Sequence, residues 1–466
     1  MSMIFHPATG FPIADPDFQA LAPEALPSHE EVEKAASGLI LSASGWRKVF
    51  ASPALGEPRA PWAAGALPQT ASGKLGADED SLSARVSAAD IVVAGAAALV
   101  FYEELAARSG RKDPGLLIGI DARPTGPALA DAACRVLLGL GARPRYLFIV
   151  AAPEIMAYSA SISGKTVDGE RRVEGFAYIS ASHNPPAHNG IKFGASKDGG
   201  RAGGVLSGPE AAALIGAFRA AIAQADIAQR VYAAMKAAGA KELSRLYAAV
   251  SREKRYAVSA YTLFAREVVS GQADQDAAER FFEAAAKGAA ERPVGVLAEM
   301  NGSARSLSID PDFLSAFGAS YRGLNDRPRA FVHRIVPEGE SLETARAALE
   351  AAHAQESAFA VSYVPDCDGD RGNLVIFDER AGHARVLEAQ EVFALCCVSE
   401  LAGLVRDGSL SYGPDGAARR RVAVAVNDGT SMRVEAIARA FGAEVARAET
   451  GEANVVGLAE ALRREG

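Results

Sequence analysis

The sequence predicts an α/β protein of three similar domains, each with a mixed sheet sandwiched by helices. Three short apolar runs end in acidic or amide residues: residues 116–121, 294–302 and 421–429. Runs of this length, bounded by turn residues, are typical of strands buried on both faces. Each is followed by a helix-like stretch and then by a Gly-Ala pair: residues 141–142, 318–319 and 442–443. Because glycine accepts the positive φ of a helix C-terminal cap, each segment predicts a strand–helix–strand unit.

The spacing of these units predicts three domains: residues 1–255, 256–357 and 358–466. The first begins with a proline-rich extension of about forty residues, which we expect to wrap on the body of the domain. A Pro/Ala/Gly-rich loop is predicted at residues 52–78. Residues 208–292 are rich in Ala, Glu, Lys and Arg, a composition that favours helices between the first two domains.

Composition limits the functional classes. A chain of 466 residues with a net charge of -8 favours several domains and argues against nucleic-acid binding, which requires clustered cations. Four cysteines give no disulfide framework. No signal peptide or membrane span is expected, so a cytoplasmic location is predicted. Nothing in the sequence indicates an oligomeric state.

A loop after the strand-like residues 176–179 carries the first candidate chemistry. Asn184-Pro185-Pro186 forces a turn there. Ser182 is therefore expected at an exposed strand end, a frequent place for chemistry in α/β proteins. His183 is its neighbour, and Lys192 follows ten residues later.

This loop admits two other interpretations. A serine hydrolase requires a G-x-S-x-G elbow, whereas the sequence around Ser182 is S-A-S-H-N. A purely structural Ser/Asn/Pro turn stays open on this loop alone.

A second loop supplies carboxylates. Residues 358–364 resemble a buried strand, and Asp366, Asp368, Asp370 and Arg371 follow it in the pattern D-x-D-G-D-R. Three neighbouring carboxylates repel one another unless a cation neutralises them, and hard oxygen ligands suit Mg²⁺. Arg371 is a natural anchor for a phosphate. Together the loops indicate a phosphoryl-transfer site.

Other acidic-loop motifs fit less well. A calcium-binding EF-hand loop needs glycine at its sixth position and glutamate at its twelfth, where this chain has Arg371 and Phe377. A haloacid-dehalogenase-type phosphatase would need threonine or valine in place of Asp370. A metal-free acidic turn stays open.

These motifs resemble those of the α-D-phosphohexomutases, the family of phosphoglucomutase and phosphomannomutase. Five segments, spread over residues 40–455, match in the family's order. They are Ser42-Ala43-Ser44-Gly45-Trp46-Arg47, Gly119-Ile120-Asp121-Ala122-Arg123, the serine loop 180–192, the acidic loop 366–371 and Glu449-Thr450-Gly451.

The resemblance implies roles for particular residues. Ser182 would carry the phosphate and, with Asp366, Asp368 and Asp370, would bind Mg²⁺. The remaining roles concern proton transfer by Lys192 and His183, phosphoryl contacts by Arg47 and Arg371, and substrate contacts by Thr450 and Gly451. The active site would lie in the cleft between the domains.

The resemblance also implies an activity, that of an isomerase working by phosphotransfer. Phosphate would move between O1 and O6 of a hexose phosphate, interconverting glucose 1-phosphate and glucose 6-phosphate. Glucose 1,6-bisphosphate would serve as intermediate and activator. Glucose is preferred over mannose or glucosamine because of the Ser-Gly-Trp-Arg segment. The alternative is a non-catalytic phosphosugar-binding protein on the same scaffold.

The chain departs from the family pattern in two places. Ser42-Ala43 stands where the family has Gly-Thr, which weakens the assignment of Arg47. The family's G-E-x-S-G and R-x-S-G loops are not found, and its fourth domain is expected to be absent. We therefore expect a truncated phosphohexomutase. The alternatives are that another chain supplies these parts or that mutase function has been lost.

Overall fold

The first unit is built around a six-stranded mixed sheet. The computed structural model describes residues 3–51, 85–163, 172–195 and 204–465, so the loop predicted at 52–78 lies outside the described residues. The strands of this unit are β1 (Ile4–Phe5), β2 (Pro12–Ala14), β3 (Ile40–Ser42), β4 (Gly45–Val49), β5 (Gly115–Ile120), β6 (Arg143–Ile149), β7 (Gly175–Ile179) and β8 (His188–Ala195). The sheet has the order β3-β4-β8-β7-β5-β6, whereas β1 and β2 form a separate hairpin.

Helices cover this sheet. In chain order they are α1 (His29–Ser37), α2 (Ala88–Ser109), α3 (Gly126–Gly139), α4 (Ala152–Ile162), α5 (Gly208–Ile222), α6 (Ile227–Ala237), α7 (Ala240–Ala248) and α8 (Val250–Ser270). The next helix, α9 (Gln275–Glu291), packs against α8 and against residues 310–316 of the second unit. The helical stretch predicted at 208–292 is thus present as α5 to α9. Its first two helices contribute Leu214, Phe218 and Val231 to the main core.

The second unit has a five-stranded sheet of order β10-β9-β11-β12-β13. Its elements are β9 (Gly295–Glu299), α10 (Asp310–Ala316), β10 (Ser320–Leu324), α11 (Glu343–Gln355), β11 (Phe359–Pro365), β12 (Gly372–Asp378) and β13 (His383–Val386). β9, β10 and β11 are parallel, and β12 and β13 continue the sheet in antiparallel fashion.

The third unit contains a two-stranded parallel sheet. Its elements are α12 (Ala389–Arg406), β14 (Ala423–Asn427), α13 (Arg433–Ala440), β15 (Glu444–Ala448) and α14 (Glu452–Glu465). The α/β fold class predicted from the sequence is confirmed.

The three predicted strand–helix–strand units share one local geometry. Gly141, Gly318 and Gly442 have φ values of 91°, 76° and 66°, all in the left-handed region. In each unit the next residue, an alanine, donates its N–H to a carbonyl five residues earlier in the chain. This closes the helix and turns the chain into a strand parallel to the first. The pairs are β5–β6, β9–β10 and β14–β15.

The predicted domain limits pass through one helix and one sheet of the structure. A division between residues 255 and 256 cuts α8, which packs against α4 and β6 of the first unit. A division between 357 and 358 separates β11 from β9, its parallel neighbour. Chain order does not fix strand order, because a strand that follows a crossover helix can return to the centre of the preceding sheet. The acidic loop after β11 therefore belongs to the second unit.

Within the described residues, no single helix is long and apolar enough to cross a bilayer. α5 and α6 reach that composition only as a pair, with a bend of 102° between them.

Candidate active site

The serine loop leaves β7 near the middle of the six-stranded sheet. Ser182 is 1% exposed, so the serine predicted at an exposed strand end is enclosed. The enclosing residues come from the second unit, because the β11–β12 connection packs against this strand end. Ser182 Oγ donates a 2.8 Å hydrogen bond to Asp366 Oδ2 and accepts one from the Arg371 guanidinium. Residues 184 positions apart in sequence thus meet side chain to side chain.

Ser182 adopts a left-handed backbone conformation, with φ of 52°. For a residue with a Cβ this costs roughly 1–2 kcal/mol, so the surrounding contacts must hold it. Its N–H donates to Ser180 Oγ at 2.9 Å, and Asn184 N–H donates to the Ala181 carbonyl. A strained residue that presents its side chain to a charged cluster is typical of a functional site.

Arg123 stabilises the backbone of the serine loop. Its guanidinium is fully buried, forms an ion pair with Asp121 and donates to the carbonyls of Ser182 and Asn184. Burial alone would lower the pKa of Arg123, but the Asp121 carboxylate outweighs it and raises the pKa. In the sequence, this Asp-x-Arg segment is recognisable only as a family motif, without a role. The signal in the sequence that could have indicated its role is the position of this segment directly after a buried strand.

Three carboxylates gather in the acidic loop. Ligand oxygens of Asp366, Asp368 and Asp370 all lie within 4.8 Å of one another. The side chains of Asp366 and Asp368 are fully buried, and that of Asp370 is 30% exposed. The backbone N–H of Gly369 donates to Asp366 Oδ1 at 3.0 Å, which shapes the turn.

Cations face these carboxylates. Lys192 Nζ lies 2.8 Å from Asp368 Oδ2 and 3.0 Å from Asp370 Oδ2. Ser180 Oγ also donates to Asp368 Oδ2, at 3.0 Å. The other oxygen of this carboxylate, Asp368 Oδ1, is buried and has no hydrogen-bond partner among the described residues.

Burial and charge set opposite pKa directions in this cluster. Burial and the neighbouring carboxylates raise the pKa of Asp366 well above its usual value. Burial also acts to raise the pKa of Asp368, but the Lys192 ammonium outweighs it and holds the pKa below the usual value. For Lys192, burial is outweighed by Asp368 and Asp370, so its pKa rises and it stays an ammonium. The cluster thus contains a stable ion pair between Lys192 and Asp368. Its third member, Asp366, takes up a proton at a higher pH than an exposed aspartate does.

His183 and Arg47 lie at the edge of the cluster. Burial and the nearby Arg371 and Arg47 cations lower the pKa of His183, which favours neutral imidazole. Because arginine only donates, His183 Nδ1 must accept from Arg371, which leaves the proton on Nε2. Arg47 is placed by the pairing of β4 with β8, opposite Gly190. Burial and the Arg371 charge lower the pKa of Arg47.

Thr450 and Gly451 lie in the third unit, as the predicted third-domain turn implies. They follow β15 in the third unit, where the Gly451 N–H donates to Asn427 Oδ1 at 3.0 Å. The described contacts of Gly451 lie within that unit. The structure therefore brings together the predicted residues of the serine and acidic loops with Arg47, but does not add this turn to them.

The acidic loop fits a hard divalent cation. It offers three carboxylates at ligand spacing and a buried Asp368 oxygen to which the described residues donate no hydrogen bond. A buried acceptor left unpaired is costly unless something binds it. Oxygen-only donors of this kind suit Mg²⁺.

Comparison with known proteins identifies the first unit. Residues 78–206 match the family model described as phosphoglucomutase/phosphomannomutase, α/β/α domain I. This segment is therefore similar to domain I of the α-D-phosphohexomutase superfamily. A segment of 89 residues is 38% identical to phosphoglucosamine mutase of Staphylococcus aureus strain JH9 and 39% identical to that of Staphylococcus carnosus. It covers 19% of this chain and 18% of those relatives.

Solved structures of this superfamily share the fold. A phosphoglucomutase/phosphomannomutase family protein of Burkholderia thailandensis aligns with a TM-score of 0.50 at 19% identity, over 80% of this chain and 65% of that one. A protein provisionally named a phosphomannomutase, from Thermus thermophilus, aligns with a TM-score of 0.53 at 16% identity. That alignment covers 92% of this chain and 72% of the Thermus chain. The chain thus spans about two thirds of the Burkholderia protein.

Proposed function

We propose that the chain is a phosphotransferase of the phosphohexomutase type, with Ser182 as the residue that carries phosphate. The observation that carries this proposal is the placement of Ser182 Oγ, 2.8 Å from Asp366 and in contact with the Arg371 guanidinium. A serine phosphate there would meet cations from Arg371 and Lys192. Phosphoryl transfer depends mainly on positioning and on charge stabilisation, and this arrangement supplies both.

In the proposed reaction the bond between Ser182 Oγ and phosphorus breaks as a sugar hydroxyl bonds to phosphorus. The hydroxyl proton leaves to a base, for which the neutral imidazole of His183 is suited, and Ser182 Oγ takes up a proton as it leaves, for which the Lys192 ammonium is suited. The resemblance assigns this acid–base work to Lys192 and His183. The product is a hexose bisphosphate. It turns in the cleft and returns its other phosphoryl group to Ser182, so that phosphate has moved between O1 and O6.

Other residues would supply charge stabilisation, metal binding and exclusion of water. Lys192, held as an ammonium by Asp368 and Asp370, is suited to stabilise charge and to donate a proton. When bound, Mg²⁺ would be held by Asp366, Asp368 and Asp370 with the serine phosphate and would neutralise charge on the transferring group. The burial of Ser182 supports exclusion of water from the phosphoserine.

Intact mass tests the nucleophile assignment. Incubation with glucose 1,6-bisphosphate and Mg²⁺ is expected to add one phosphate, which maps to Ser182. Ser182→Ala is expected to remain unmodified because the accepting hydroxyl is gone. Ser244→Ala is a matched control, since Ser244 is exposed on α7 and donates to the Ala240 carbonyl of the same helix. Unchanged labelling of the Ser182 variant would overturn the assignment.

The sugar is proposed to be glucose. Two of the curated relatives similar to an 89-residue segment of this chain are phosphoglucosamine mutases, so glucosamine phosphates belong in the same test. Rates of isomerisation would be compared for glucose 1-phosphate, mannose 1-phosphate and glucosamine 1-phosphate. A clear preference for either of the latter two would replace glucose in this proposal.

A second candidate is a phosphosugar-binding protein without turnover. The observation behind it is that the described hydrogen bonds of Gly451, a residue predicted to contact the sugar, stay within the third unit. Under this alternative Ser182 would be labelled by the bisphosphate, but hexose 1-phosphate would not be converted to hexose 6-phosphate.

A further inference from the structure

The backbone of the acidic loop is bound by donors from two units. The carbonyl of Cys367 accepts from the Ala304 N–H at 2.9 Å, and the carbonyl of Asp368 accepts from the Ala152 N–H at 2.8 Å. The next carbonyl, that of Gly369, accepts from Arg305 Nη1 at 3.3 Å. Ala152 begins α4 of the first unit, whereas Ala304 and Arg305 belong to the second. Ala152 and Ala304 donate through their backbones, whereas Arg305 donates through its side chain. The contribution of Arg305 can therefore be tested directly by substitution.

Arg305 is itself fixed by a buried carboxylate. Its Nε and Nη2 bind Asp310 at 2.9 and 2.6 Å, and the Tyr363 hydroxyl donates to the same carboxylate at 2.5 Å. Asp310 is 4% exposed. A bidentate arginine–carboxylate pair fixes the orientation of the guanidinium plane, which a lysine ammonium cannot reproduce.

The loop also packs closely on the stem of Arg305. Gly369 has φ of 72°, and a Cβ added there would lie 2.4 Å from Arg305 Cγ. This position therefore requires glycine twice, for its backbone conformation and for the approach of the arginine stem. The turn that contains Asp368 and Asp370 therefore packs directly against the Arg305 side chain.

We propose that Arg305 is a positioning residue that holds the acidic loop in its metal-binding conformation. This inference rests on the proposed function. Asp366, Asp368 and Asp370 repel one another, so the loop tends to open unless its backbone is held. Arg305, locked by Asp310 and Tyr363, opposes that opening through the Gly369 carbonyl and through packing. Groups that hold metal ligands in place typically contribute about 10–100-fold to metal affinity.

Binding of Mn²⁺ to the full chain tests the proposal without any sugar. Arg305→Lys keeps the charge but loses the fork, and is expected to weaken Mn²⁺ binding about tenfold. Asp310→Asn is expected to have a similar effect, and the double variant should bind no more weakly than either single one, since both act through one contact. Tyr363→Phe, which removes one hydrogen bond from Asp310, should show a smaller loss.

Arg346→Lys is the matched control. Arg346 lies on α11 of the same unit and pairs with Glu343 and Glu350, which lie on the same helix. It should leave the Mn²⁺ dissociation constant unchanged. The Tm of each variant would be measured alongside, because a purely structural role lowers Tm without changing Mn²⁺ affinity.

The outcomes separate this inference from the proposed function. If the Arg305 and Asp310 variants bind Mn²⁺ within about twofold of the unsubstituted chain, the positioning role is overturned and the proposed function stands. Should Arg305→Lys fail to fold, Asp310→Asn decides by the same criterion. An unsubstituted chain that binds no Mn²⁺ would overturn both proposals.

Discussion

At the scale of single residues, charge compensation explains why the candidate site tolerates so much burial. Arg123 and Asp121 are both fully buried and form an ion pair, and Lys192 forms ion pairs with Asp368 and Asp370. A buried charge is tolerated only when it is paired and hydrogen-bonded. Because these charges are paired, they can lie next to Ser182 at a position from which solvent is excluded.

Arg123→Met is expected to destabilise the fold and to slow phosphorylation of Ser182. Removing one partner of a buried pair leaves Asp121 uncompensated, at a cost of about 3–5 kcal/mol. The free energy of unfolding would be measured by urea denaturation. The double variant Asp121→Asn, Arg123→Met removes both charges and should recover part of the loss. Equal stability of the single and double variants would contradict the ion-pair explanation.

At the scale of elements, the proline-rich extension is part of the first unit. Ile13, Ala14 and Leu21 are buried in its main core, and Arg135 donates to the carbonyl of Asp15. This agrees with the wrapped extension expected from the sequence. The hairpin also places His6 against Phe148, with ring centroids 5.3 Å apart. Phe148 has φ of 58° within β6, a strained conformation for an aromatic residue.

The burial of His6 predicts a pH-dependent stability. Burial and the charge of Lys254 lower the pKa of His6 below 6.5, so the unfolded chain takes up a proton at a higher pH than the folded chain. Stability is therefore expected to be full above pH 6.5 and to fall as pH drops below it towards the folded pKa.

Thermal unfolding of His6→Phe tests this expectation. Phenylalanine retains a ring against Phe148 but does not titrate, so its Tm should fall less between about pH 7.5 and about pH 5 than that of the unsubstituted chain. His383→Gln, at an exposed position on β13, serves as the control. Parallel pH profiles for the unsubstituted chain and His6→Phe would refute the link.

At the scale of the whole molecule, the candidate site exists only where two units meet. The Ser308 hydroxyl donates to Glu154 Oε2 at 3.0 Å across this junction, and Lys254 pairs with the other oxygen of Glu154. Arg329 of the second unit donates to the Ala122 carbonyl of the first. The junction thus sets the distance between Ser182 and the acidic loop.

Divalent metal is expected to stabilise the molecule as a whole. A ligand that binds only the folded state at a hundred times its Kd adds about 2.7 kcal/mol to stability. Addition of Mg²⁺ or Mn²⁺ should therefore raise Tm, and chelation with EDTA should reverse the rise. Asp368→Asn should lose most of this response because it removes a ligand. An equal rise in that variant would place the bound ion elsewhere.

Local rules of the sequence determined much of the fold. The apolar runs predicted β5, β9 and β14, and the Gly-Ala pairs predicted the three left-handed helix ends, because both features depend on neighbouring residues alone. The motifs also named Ser182, Asp366, Asp368 and Lys192 as one site. Their roles stay predictions, although the structure brings them together.

Only the tertiary structure decided the rest. The return of β11 to the sheet of β9 moved the acidic loop into the second unit, and packing between units enclosed a serine that the strand end alone would leave exposed. Folding within each unit brought Arg123 to the Ser182 carbonyl and Arg305 to the Gly369 carbonyl. These facts depend on contacts between residues far apart in the chain, which local patterns do not encode.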